Sequence, residues 1–197
     1  MTFIDKHNSG FNTRAIHAGQ DLDPVYGAGV PPIHLSSTYA PEAIGKLRKG
    51  YDYGRGTNPT RDALQNQIAA LETGNAETGF AYTFSSGLAA ETALLMAACE
   101  PGDRVIVGND VYGGTYRLLD KVLRPWKLEH QVVDMSNLDQ VREALSAGKA
   151  RMLWVETPTN PMMHVADIAA LAELAREFEA LLVVDNTFAT PYLQLPL

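Results

Sequence analysis

From Thr60 onward, apolar and polar positions settle into alternating periods. Leu64, Ile68 and Leu71 recur at i, i+4 and i+7, which is one face of a helix. Thr60 stands where an N-cap is expected, and Gly74 where a helix leaves through a left-handed residue. Short apolar runs then alternate with helical patterns. "FAYTF" (80–84) precedes a helix over 87–98, and "RVIVG" (104–108) precedes one over 113–123. "LEHQVV" (128–133) precedes a helix with Ser136 as its cap, "MLWVE" (152–156) precedes one over 167–180, and "LLVVD" (181–185) closes the series. This rhythm predicts an α/β fold, a mostly parallel sheet with helices on both faces.

Residues 1–60 have a different texture. "DPVYGAGVPPIHLSSTYAP" and "YDYGRGTNPT" are punctuated by Gly, Pro, Ser and Thr at nearly every step, so they build no core of their own. They are expected to form an irregular arm lying across another surface, ahead of the α/β domain that occupies 61–197.

Composition narrows the function classes. The chain has 197 residues, 46% of them hydrophobic, and a formal net charge of −7. The hydrophobic share supports a sizeable core. The acidic balance argues against nucleic acid as a partner and leaves small molecules or other subunits. Cys99 is the sole cysteine, which fits a reducing compartment. The opening "MTFIDKHNSG" lacks the apolar core of a signal peptide, and no apolar run is long enough for a membrane span. A cytoplasmic setting is expected.

Open α/β sheets bind ligands outside the carboxyl ends of their strands, so the residues that follow each apolar run are the candidates. These are Ser85-Ser86-Gly87, Asn109-Asp110-Val111-Tyr112-Gly113-Gly114, Thr157-Pro158-Thr159-Asn160-Pro161 and Asp185-Asn186-Thr187. The topology predicts that all four converge on one rim. Each has a plain and a sharper reading. Ser-Ser-Gly is a helix cap, or an anion site at a helix N-terminus. Tyr112 is an ordinary loop aromatic, or a ring that covers a flat ligand. Thr-Pro-Thr-Asn-Pro reads as a rigid turn. Asp185 is a turn residue, or an acid that needs a cation because it closes an apolar strand.

Other chemistries find no support in the sequence. Gly27-Ala28-Gly29 lacks the third glycine, the strand and the helix of a dinucleotide fingerprint. The five histidines, His7, His17, His34, His130 and His164, are scattered without metal-ligand spacing, and no metal is expected. No nucleophile elbow is present. Cys99 and His164 read as structural.

Taken together, "YGRGTNPTR" (53–61), "SSGLAA" (85–90), "NDVYGGTYR" (109–117), "VETPTNP" (155–161) and "VVDNTFATP" (183–191) resemble the Cys/Met-metabolism family of pyridoxal-phosphate (PLP) enzymes. The resemblance runs from "TRAIHAG" (13–19) to the last residue. It implies the aspartate-aminotransferase-like fold, fold type I of the PLP-dependent transferases, and PLP as cofactor. By the family pattern, Asp185 matches the acid that pairs with the protonated pyridine nitrogen. Ser86, Gly87 and Leu88 match the turn that cradles the phosphate. Tyr112 matches the ring-stacking tyrosine and a candidate acid/base. Asn160 matches the asparagine near the phenolic oxygen, and Thr187 the hydroxyl residue beneath the ring. Tyr53 and Arg55 match a pair that reaches the phosphate of an adjacent subunit, where a planar guanidinium suits phosphate oxygens. The family assembly implied is a homotetramer of two catalytic dimers.

The resemblance is closest to cystathionine γ-synthase, which forms cystathionine from an O-acylhomoserine and cysteine in methionine biosynthesis. Cystathionine γ-lyase and O-acetylhomoserine sulfhydrylase are the alternatives. Asp52 bears on specificity: by the family pattern an acid before the Tyr of Y-x-R can meet a distal ammonium in cystathionine-handling relatives, where methionine γ-lyases carry a neutral or aromatic residue, whereas its plain reading is a solvated loop acid. Gly56 departs from the pattern, since some synthases carry a second arginine there. A larger departure concerns the lysine that anchors PLP, which the family places in S-x-T-K. Lys6, Lys46, Lys49, Lys121, Lys127 and Lys149 all lack that context. The family order puts it just beyond Leu197, so the sequence reads as the N-terminal half of a longer enzyme. The remaining alternative is a catalytically inactive fragment with a structural role.

Overall fold

The structure, a computed structural model, describes residues 9–74 and 79–197; Lys6 and His7 lie outside the described residues. The chain divides into two compact units, one running up to Thr83 and the other from Phe84 to Pro196.

In the N-terminal unit, α1 (Phe11–His17) packs on α2 (Pro59–Thr73). Gly19 makes this contact possible. A Cβ there would stand 2.3 Å from the Ala63 carbonyl oxygen, and its φ is +71°. Gln67 Nε2 adds a hydrogen bond to the Ala15 carbonyl (2.6 Å). The cap of α2 is Asn58 and not Thr60. Asn58 Oδ1 accepts from the amides of Thr60 (2.9 Å) and Arg61 (3.3 Å). Pro59, with its preset φ and no N–H to satisfy, begins the helix. Thr60 Oγ1 accepts instead from the His34 amide (2.9 Å). Between the two helices the backbone is irregular and held by isolated bridges, among them Thr38 with Tyr53. Val25, Tyr26, Ile33, Leu35 and Ile44 are all exposed along it. The expected strand over 80–84 does not form. A strand needs a ladder for its amides, and here the Thr83 amide donates to the Gln65 side-chain oxygen (3.1 Å) while Phe80 and Tyr82 remain exposed.

The C-terminal unit carries the sheet: β1 (Arg104–Gly108), β2 (Glu129–Val133), β3 (Met152–Glu156) and β4 (Leu181–Asp185), in the order β2-β1-β3-β4, every pairing parallel. Strand periodicity divides the side chains between two cores. Ile106, Leu153 and Val155 face α5 (Leu138–Ser146) and α6 (Ile168–Glu177). Val105, Val107, Met152 and Trp154 face α3 (Gly87–Ala98), α4 (Gly113–Arg117) and the π-helical turn Leu118–Leu123 that continues α4. In that turn Leu118, Leu119 and Leu123 are all buried; the i, i+5 spacing of Leu118 and Leu123 suits the wider π ladder. Cys99 is a free thiol in this second core. The cap of α5 is Asn137 (Oδ1 accepts from the Gln140 amide, 3.2 Å), because Ser136 is already bonded to Asp134. Asp167 caps α6. Among the described residues no helix is long and apolar enough to cross a membrane.

After β1 the chain turns outward to β2, and it then crosses back over β1 to β3. The order therefore reverses between β1 and β3, and a crevice opens there at the C-terminal ends of the strands.

Candidate active site

That crevice is built by side-chain alternation. Met152 and Trp154 point toward the α3/α4 face, so Glu156 does too. Asp185 is paired in register with Glu156 and shares its face. On this side the strand ends, the start of α3 and the β1–α4 loop enclose a cleft of about 300 Å³, the lower end of the range for small-molecule sites. Ser86, Gly87, Leu88, Tyr112, Asn160, Asp185 and Thr187 all line it. The four post-strand clusters therefore do converge, even though 80–84 is not a strand. Asp52, Tyr53 and Arg55 sit in the N-terminal unit. All three are exposed, and the Arg55 guanidinium lies 4.9 Å from the centre of the Tyr53 ring.

Each wall has a local cause. Ser86 caps α3, its Oγ accepting from the Ala89 amide (3.1 Å). The amides of Gly87 and Leu88 stand in the first turn, where a helix leaves N–H groups without internal partners. Gly87 has nothing within 4 Å of where a Cβ would be, so the approach to this turn is open. Tyr112 occupies the N-cap position of α4. Its ring lies so close to Gly114 that a Cβ there would meet ring carbon Cε1 at 2.2 Å. The second glycine of "YGG" is therefore what lets the ring fold back over the helix start. The Asp185 carboxylate is set by its own turn: Thr187 donates its amide (3.0 Å) and its hydroxyl (2.6 Å), both to Oδ1. Among the described residues nothing further bonds to it, and Oδ2 is left for another donor. Asn186 is locked by Gln194, whose Nε2 reaches Asn186 Oδ1 (2.8 Å) and the Thr157 carbonyl (2.9 Å).

Two lining residues carry roles that the sequence reading did not assign. Glu156 is buried, with Oε2 accepting from the Tyr112 amide (2.6 Å) and Oε1 from the Asn160 amide (2.7 Å). Burial pushes its carboxyl above the usual range, the two amides pull it back, and the charges of Asp185 and Asp110 push it up again. Glu91, on α3, is raised chiefly by burial; the Thr115 hydroxyl opposes this, and Asp185 and Glu156 add to it. Its Oε2 and the Thr115 hydroxyl are both buried without a partner in hydrogen-bonding geometry. A signal for Glu156 existed: it is the acid that ends "MLWVE", just as Asp185 ends "LLVVD". Glu91 lies one helical turn past the Ser86 cap, on the same face as the start of α3.

Among the described residues the cleft is thus lined by three carboxyl groups and no Lys, Arg or His. It suits a ligand that brings a cationic donor to Asp185.

The model of the Cys/Met metabolism PLP-dependent enzymes matches residues 12–197. The chain belongs to this family. Its relatives include the cystathionine γ-synthase of Mycobacterium tuberculosis, 49% identical over 96% of this chain and 47% of that protein. The cystathionine β-lyase of Coxiella burnetii is 47% identical over 100% of this chain and 49% of that protein. The crystal structure of metB from Corynebacterium glutamicum superposes with a TM-score of 0.91 at 46% identity, over 98% of this chain and 49% of that one. The chain therefore spans about half the length of the curated relatives it matches. Members of this PLP-dependent family include both synthases and lyases of cystathionine, and the two near-equal identities do not separate them.

Proposed function

We propose that this chain supplies the N-terminal part of a PLP-dependent γ-replacement enzyme that forms cystathionine from an O-acylhomoserine and cysteine. The observation that carries the PLP reading is Asp185: its Oδ1 is saturated by Thr187, its Oδ2 is open, and it stands in a cleft with the α3 start and the Tyr112 ring. The residues fit the group. Asp185 Oδ2 would hold a proton on the pyridine nitrogen. The amides of Gly87 and Leu88, with Ser86, would hold the phosphate, as helix N-termini hold anions. Tyr112 would cover the ring, Thr187 would lie beneath it, and Asn160 would meet its phenolic oxygen. When bound, PLP supplies the electron sink that acidifies bonds at the substrate's α-carbon. The chain's own residues orient it, keep water from its faces, and move protons, a task assigned to Tyr112.

Tyr53 and Arg55 are read as reaching the phosphate in a neighbouring subunit, and Asp52 as meeting the distal ammonium of the amino-acid product. The exposed apolar side chains of the irregular arm support its use as a wrapping surface, in a homotetramer built from catalytic dimers. Asp52 ahead of Y-x-R supports an enzyme that handles cystathionine, and the synthase is taken as the first reading of that pair. Similarity to a β-lyase at 47% identity supports a second reading, cleavage of cystathionine; γ-lyase and sulfhydrylase activities belong to the same comparison.

The test uses the full-length protein loaded with PLP. Formation of cystathionine from O-succinyl- or O-acetylhomoserine plus cysteine is expected to exceed turnover of cystathionine alone. Faster breakdown of cystathionine would assign a lyase. No turnover of either, with no uptake of PLP, would leave the inactive-scaffold reading.

A further inference from the structure

We propose that Glu156 is a positioning residue that joins the two halves of the cofactor cleft, fixing Tyr112 and Asn160 relative to each other through one carboxylate. The inference rests on the PLP reading of the cleft.

Tyr112 follows β1 and Asn160 follows β3, on opposite sides of the point where the strand order reverses. Chains leaving a switch point diverge, which creates the crevice but leaves its walls without a ladder between them. Side-chain links bridge them: Thr159 Oγ1 donates to Asp110 Oδ2 (2.5 Å) away from the cofactor cleft, and Glu156 joins the two residues that line it. Glu156 is the last residue of β3, directed by alternation into the crevice, and only 6% exposed. Its two oxygens are divided between the walls: Oε2 takes the Tyr112 amide at 2.6 Å and Oε1 takes the Asn160 amide at 2.7 Å. Both distances are short, as expected for amides donating to an ionised carboxylate.

The chemistry requires a carboxylate. Two N–H donors need two acceptors on one planar group, and only Asp or Glu offers that without a donor. Gln matches the shape but sets an NH₂ against one of the amides. Asp matches the charge but is a methylene too short to span both walls. The Tyr112 amide belongs to the residue whose ring is folded against Gly114, so slackening this bond releases the ring as well. Glu156 leaves substrate chemistry to its neighbours and acts through the two residues it holds.

Full-length wild type, Glu156→Gln and Glu156→Asp are compared in two measurements. In cofactor-free protein, hydrogen exchange is followed at the Tyr112 and Asn160 segments. Both variants are expected to lose protection there while α5 and α6 keep theirs. With PLP, the visible circular dichroism of the bound cofactor, which reports ring orientation, is expected to change, and the PLP dissociation constant to rise about tenfold or more. Exchange at both segments equal to wild type, or an unchanged cofactor band with affinity within about twofold, overturns the proposal. If Gln prevents folding, the Asp variant, which keeps the charge, decides. Failure of the underlying reading looks different, because wild type itself would then take up no PLP.

Discussion

Glu156 and Asp185 are paired in register at the ends of neighbouring parallel strands, yet they are held in opposite ways. Both oxygens of Glu156 are occupied by backbone amides from two loops. Asp185 has one oxygen doubly occupied by Thr187 and the other open to the cleft. Two acids on one face are thereby divided, one bracing two loops and the other keeping an oxygen free toward the cleft, by local hydrogen bonding alone. Environment, and not residue type, sets what each carboxyl does.

Asp185→Asn tests the open oxygen. The amide keeps the size of the carboxylate but cannot hold a proton on a pyridine nitrogen. In the full-length enzyme the expected result is retained folding with kcat lower by about 10²–10³-fold, the loss typical of removing one preorganised electrostatic partner. Thr187→Val, which deletes the hydroxyl donor to Oδ1 but leaves the amide, is expected to cost less, about tenfold. Steady-state kinetics on both variants checks the order. An Asn variant within a few-fold of wild type would falsify the ion-pair reading.

Gly114→Ala tests the ring position. Alanine is the better helix former, so thermal stability should stay within about 1 kcal/mol of wild type. The added methyl occupies the place of Tyr112 Cε1, 2.2 Å away, and the ring must swing out. Weaker PLP binding with an unchanged melting temperature is the expected combination, read by cofactor titration and calorimetry on the same sample.

The sheet was legible in the sequence, and so was the cleft, because both follow from period and order. β1, β3 and β4 occupy the predicted spans, and the post-strand polar clusters line one pocket. What escaped the sequence has specific causes. "FAYTF" has a strand-like composition, but strand formation is decided by a partner, and its aromatic residues remain exposed. Thr60 and Ser136 are good caps displaced by better placed asparagines one or two residues away, Asn58 helped by the following proline. Glu156 ends an apolar run as Asp185 does, but its partners, the Tyr112 and Asn160 amides, lie in two loops that no sequence period brings together. Glu91 sits in an alanine-rich helix whose pattern carries no sign that a cleft lies beside it.

Glu91 yields a pH prediction. Its folded carboxyl lies above the ordinary range, mainly through burial. Between the unfolded value, near 4.3, and the folded one, the native state holds more protons than the unfolded state. This contribution therefore favours folding at acid pH and is lost as pH rises through the folded pKa. At neutral pH the buried charge is a cost. Glu91→Gln in cofactor-free protein should raise the melting temperature at pH 7 and above, with the gain shrinking toward zero as pH falls to about 4. Melting curves across that range check it; a gain that grows on acidification would reverse the sign.

Arg55 yields a prediction about assembly. It is exposed and stacked on Tyr53 at 4.9 Å, so the pair forms a ready-made arm carrying a planar cation, and the Asp185 cleft has no cation of its own among the described residues. If the arm serves a neighbour, Arg55→Ala weakens PLP retention while leaving the Asp185 side of every cleft intact. Asp185→Asn does the reverse. Neither homo-oligomer should turn over at an appreciable rate. In a mixed catalytic dimer, the Arg55→Ala subunit contributes a complete cleft and its partner contributes a complete arm, so one of the two sites is whole. Random pairing of equal amounts makes half of the dimers mixed, which predicts about a quarter of wild-type activity. If Arg55 acted within its own subunit, no pairing would restore a whole site, and the mixture would be as inactive as its parts. Unfolding, mixing and refolding the two full-length variants, followed by a turnover assay, separates these outcomes.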